Sequence, residues 1–254
     1  MYRHSALWHV LWLATPSIQL VIAWIMVRRK TVAEFPMFFS YTIFHVFYVT
    51  GLFVLDHDAA VSAVTYWRSA MVSDAISAAL RFAIVYEIFR LLFLSYPALT
   101  KMSRSVFKWG AVLLVLGALL VARYSVATNP DWQLLAGIKV FDRSIGFVQC
   151  GMIILLFGFS RYLGISWRID MFGICLGLGI ISASELALSS LAAQLGFSDY
   201  GFALDLLSMS AYLIGISIWL VYMLRPEQSG RPIIALPSSN LESWNRELER
   251  LLQR

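Results

Sequence analysis

Seven ionisable side chains lie inside stretches that are otherwise apolar: Asp74, Arg81, Lys139, Asp142, Arg143, Glu185 and Asp205. A charge at the centre of a bilayer costs about 2.5 to 3.5 kcal/mol on insertion scales, so such residues pair with one another or face a bundle interior or a watery cavity. With a rise of about 1.5 Å per residue, Asp74 and Arg81 stand two turns apart on nearly the same face of one helix. Lys139, Asp142, Arg143, Glu185 and Asp205 are expected at similar depth in three further helices. Acids and bases in this set nearly balance, and two readings follow. In one, the charges form an internal ion-pair network that specifies which helices are neighbours. In the other, Arg81, Lys139 and Arg143 hold an anionic headgroup or carboxylate, and the acids take a cation or proton. The apolar walls suit a ligand pocket with few polar groups.

Other chemistries can be tested against what they need. All four histidines fall within the first 57 positions, and His9 and His45 are expected at different depths with no carboxylate at metal spacing. They read as hydrogen-bonded interior or interface residues, and neither a metal site nor a cofactor is expected. A serine hydrolase needs a positioned histidine, and the second half of the chain has none. A retinal protein needs a lysine in the last span, where there is none. Cys150 and Cys175 are the only cysteines; both lie in apolar segments and read as inert packing residues. No catalytic set is therefore expected, and the chain reads as non-enzymatic. Glu87 and Arg90, three residues apart, read as a local pair or as a latch between the third span and the basic loops.

The elements that must position these residues follow from composition. The chain has 254 residues, 59% of them hydrophobic and only 14% charged, against about 45 to 50% and about 25% in a soluble domain. Mean hydropathy is +0.72. These values exclude disorder, a coiled coil and a secreted disulfide scaffold, and they define an all-α polytopic membrane protein, for which no nucleic-acid partner is expected. A span needs about 20 mostly apolar residues. Seven such runs are expected, near Ala6–Val27, Phe35–Leu55, Trp67–Tyr96, Val106–Tyr124, Trp132–Leu163, Ile169–Gln194 and Phe202–Leu224. Lys and Arg cluster in alternate loops, at 28–30, 101–108, 161–168 and from Arg225 onward, whereas Arg3, Arg68 and Arg123 fall on the other side. By the positive-inside rule this places the amino terminus outside and the carboxyl terminus in the cytoplasm of an inner membrane. In the sixth run Gly173 and Gly177 form a small-xxx-small face suited to close helix contact.

Three units are expected: the bundle at 1–224, a proline-containing linker at 225–238, and an amphipathic helix at 239–254. Ser239 and Glu242 have capping-box spacing, and Leu241, Trp244, Leu248 and Leu251 recur at helical intervals. That face suits the membrane surface or a partner protein. The leading expectation is a non-enzymatic seven-helix protein that binds or senses a small anionic ligand or lipid headgroup in its outer half and signals to a cytoplasmic partner. The alternatives are a transporter using Asp74, Asp142 and Glu185, and a structural subunit of a membrane complex.

Overall fold

Helix α1, Ala6–Arg28, is apolar around its whole circumference. Trp12, Gln19, Ile22 and Met26 face the bundle, whereas Val10, Leu20, Trp24 and Val27 are exposed. An apolar residue on every face is what a lipid-embedded helix requires. The computed structural model describes residues 6–58, 60–92, 109, 112, 146–158, 160–161, 167–195 and 197–225. Among these, all regular elements are helical. The protein is thus an all-α membrane protein, with four helices long and apolar enough to cross a bilayer: Ala6–Arg28, Pro36–His57, Ile169–Leu191 and Phe202–Leu224. All of the expected fourth span but Trp109 and Val112, most of the fifth and the amphipathic tail helix lie outside the described residues. The chain divides into two units, Met1–Leu224 and Arg225–Arg254, and the helices described belong to the first.

After α1, Lys30 takes a left-handed conformation with φ 59°, and a single 3-10 turn at Thr31–Ala33 reverses the chain. Helix α2, Pro36–His57, then starts with proline in its first turn, where a missing amide hydrogen costs nothing. Helix α3, Ala63–Leu92, is 30 residues long. It begins one turn earlier than the hydropathy pattern predicts because the Ser62 hydroxyl accepts the Thr65 amide at 3.2 Å, which is an N-cap. A short apolar helix, α4, covers Gly146–Gly158. Helices α5, Ile169–Leu195, and α6, Phe197–Leu224, follow one another with a single residue between them.

The neighbours form a closed ring: α6 packs on α1, α1 on α2, α2 on α3, α3 on α5, and α5 most extensively on α6. The last contact depends on glycine. A Cβ on Gly177 would run into the Trp219 indole and the Gly215 carbonyl, and one on Gly173 would run into the Tyr222 ring. Trp219 donates its Nε1–H across this seam to the Ile174 carbonyl at 3.0 Å. The close contact expected of Gly173 and Gly177 is therefore present, and its partner is α6. Gly179 makes only ordinary contact, with Ile153 of α4.

Two apolar clusters fill the ring. The larger, toward the end that carries the Arg28–Lys30 loop, includes Met26, Phe38, Ile88, Ile174 and Trp219. The smaller, at the opposite end, is built on Trp8, Trp12, Leu52 and Ala70. Between them lies a polar layer.

Candidate functional site

Each of the five helices of the ring contributes a polar side chain to that layer. Gln19 of α1 is fully buried and uses both ends of its amide: Nε2 donates to the Tyr212 hydroxyl at 2.9 Å, and Oε1 meets His45 Nδ1 at 3.1 Å. Because a carbonyl oxygen only accepts, His45 Nδ1 carries the proton. The His45 ring stacks on Tyr212 with centroids 4.7 Å apart and planes 12° apart. Tyr41, one turn before His45 on α2, brings its hydroxyl to 2.9 Å from that of Tyr212 and within hydrogen-bond reach of Ser77 on α3. In a low-dielectric interior such a chain of bonds rigidifies the helices it joins, since each unmade bond would strand a buried polar group.

Beside this chain, Arg81 of α3 donates Nη1–H to Glu185 Oε2 of α5 in an ion pair. The two partners differ in environment. The Arg81 side chain is 10% exposed and that of Glu185 33%. Arg81 acts electrostatically on Tyr41 and Tyr212, so the charge pair and the hydroxyl chain belong to one site. Among the described residues the Arg81 Nε–H has no acceptor, and neither has the Gln149 amide nitrogen. Gln149 of α4 accepts from Ser182 of α5 at 2.8 Å, one turn from Glu185. Two buried donors without acceptors thus belong to side chains bound to the same stretch of α5.

Of the residues expected from the sequence, Arg81 and Glu185 are brought together. Asp74 lies two turns away toward the opposite end, where the Tyr48 hydroxyl donates to its Oδ1 at 2.6 Å. Asp205 is exposed on α6 and, with Asp56 and Asp74, lies in electrostatic reach of Tyr66. Lys139, Asp142 and Arg143 lie outside the described residues, as do Leu241, Trp244, Leu248 and Leu251. Reading charge alone missed Gln19, Tyr41, Ser77 and Tyr212. Gln19 carried a signal, as an amide interrupting an apolar run; the tyrosines did not, because tyrosine is ordinary in membrane helices. His45 is a hydrogen-bonded interior residue, as expected.

One expectation needs correction. Glu87 does not make a merely local contact with Arg90: its carboxylate accepts the backbone amides of Met37 and Phe38 in α2. His57 is the last residue of α2, and its ring lies 5.5 Å from that of His9. Among the described residues no group of three His, Cys, Asp or Glu side chains is arranged to hold a metal ion. Comparison of the chain with protein-family models, with curated proteins and with solved structures finds no match.

Proposed function

We propose that this chain is a seven-helix inner-membrane protein, amino terminus outside and carboxyl terminus cytoplasmic, that binds a small anionic ligand or lipid headgroup at Arg81. Its state passes to a cytoplasmic partner through the amphipathic segment after Ser239. One observation carries the reading: a buried guanidinium at the meeting point of five helices, whose Nε donor has no acceptor among the described residues. Glu185 occupies Nη1, and the Nε edge of an arginine is one of the forks that receives a carboxylate or phosphate through two parallel bonds. Buried donors without acceptors are rare enough to require an explanation, and a ligand oxygen supplies one. The Gln149 amide adds a second donor on the α4 side. The hydroxyl chain of Tyr41 and Tyr212 holds α1, α2 and α6 around the site, so occupancy of Arg81 bears on three helices beyond its own.

Native mass spectrometry of the gently solubilised protein tests this. The wild-type protein retains a stoichiometric small adduct, and an Arg81→Gln, Glu185→Gln double variant, neutral at both positions, folds and loses it. A wild-type protein with no adduct, or an adduct kept by the folded double variant, overturns the proposal.

A further inference from the structure

We propose that His9 and His57 form a two-histidine transition-metal site at the end of the bundle opposite the Arg28–Lys30 loop. Their Nε2 atoms approach to 3.3 Å. Two nitrogens bound to one tetrahedral ion at about 2.0 to 2.1 Å stand about 3.3 to 3.4 Å apart, so no helix movement is needed to accept the ion between them. The tautomer of His57 is already set. Its Nδ1–H donates to the Phe53 carbonyl at 2.9 Å, which leaves the Nε2 lone pair directed at His9. Metal-binding histidines commonly use their second nitrogen in this way.

Aromatic neighbours hold both rings. Phe53 lies 4.2 Å from the His57 ring centroid, and Trp8 meets the His9 ring edge-on at 5.3 Å. The site is open to solvent, with the His57 side chain 42% exposed, and the Asp56 carboxylate stands 3.8 Å from His57 Nδ1. Neutral imidazoles suit Cu2+, Ni2+ and Zn2+, with Cu2+ bound most tightly, and water completes the coordination. The ligands come from α1 and α2, so the ion cross-links the ends of these helices. In its absence His9 Nε2–H donates to His57 Nε2, and when the ion binds that proton leaves Nε2 and His9 takes the Nδ1–H tautomer by exchange with solvent.

The test uses the full-length protein without an affinity tag, in detergent micelles, titrated with Cu2+ and with Zn2+. One equivalent of either ion binds, and His9→Ala and His57→Ala each weaken binding at least tenfold. The Cu2+ electron paramagnetic resonance spectrum of the unmodified protein shows two imidazole nitrogens, a readout that does not depend on any variant folding. Absence of stoichiometric binding, a spectrum with fewer than two imidazole nitrogens, or an affinity unchanged by either substitution overturns the proposal.

Discussion

Glu87, near the end of α3, spreads its carboxylate over the first two amide donors of α2, Met37 to Oε1 at 3.1 Å and Phe38 to Oε2 at 3.3 Å. Helix α2 needs this help, because Phe35 at the N-cap position provides no side-chain acceptor for the amides of Met37 and Phe38. An acidic group at a helix N-terminus also opposes the positive end of the helix dipole. The cap that a serine or aspartate would normally supply locally therefore comes from a residue 50 positions away.

Replacing Glu87 by Ala removes this cap and should lower stability by about 1 to 2 kcal/mol, the upper range for N-cap loss. Glu87→Gln keeps one acceptor and should fall between Ala and wild type. Thermal unfolding in detergent, followed by tryptophan fluorescence, measures both; a wild-type melting temperature for Glu87→Ala would contradict the assignment.

Arg81 and Glu185 should behave as a unit. Removing Glu185 leaves the Arg81 guanidinium buried and should cost about 3 to 5 kcal/mol; removing Arg81 leaves a carboxylate that is 33% exposed and should cost less, whereas replacing both by apolar residues of similar size should be close to neutral. Arg81→Met, Glu185→Leu and the double variant complete a thermodynamic cycle. Additive losses in the double variant would mean that the two side chains are not coupled.

Tyr212 has two hydroxyl contacts, from Gln19 and with Tyr41. Tyr212→Phe strands the Gln19 amide and should cost about 1 to 3 kcal/mol, more than Tyr41→Phe. Because the two hydroxyls bond to each other, the double Phe variant should lose less than the sum of the singles, with a coupling of about 0.5 kcal/mol or more. Equal and additive effects would disprove the shared bond.

Two glycines in helices should respond with opposite signs. Gly177→Ala sets a methyl group against the Trp219 indole and the Gly215 carbonyl and should destabilise by about 1 to 3 kcal/mol. Among the described residues nothing lies within 4 Å of a Cβ at Gly51, so Gly51→Ala should stabilise α2 by about 0.5 to 1 kcal/mol through helix propensity. The pair of melting temperatures checks the α5–α6 seam directly.

Composition and run length alone determined that this chain is helical and membrane-embedded, because a backbone in lipid must satisfy its own hydrogen bonds and an apolar run of sufficient length can do so only as a helix. Arg81 and Glu185 also stood out from the sequence, since a charge among apolar residues is costly wherever the helix packs. The close contact at Gly173 and Gly177 was legible for a similar reason: a missing side chain on one face has a cost in helix propensity that only packing repays. Which residues met was a different matter. Gln19 and Tyr212 are 193 positions apart, and neither an amide nor a phenol in an apolar helix announces its partner. Glu87 looked local because its nearest charge in sequence was Arg90, yet its stronger partners were the free amides of α2. These pairings depend on the rotation and register of each helix in the ring, and those are set by steric fit such as that of Trp219 against Gly177, a sum of many weak contacts that no single stretch of sequence contains.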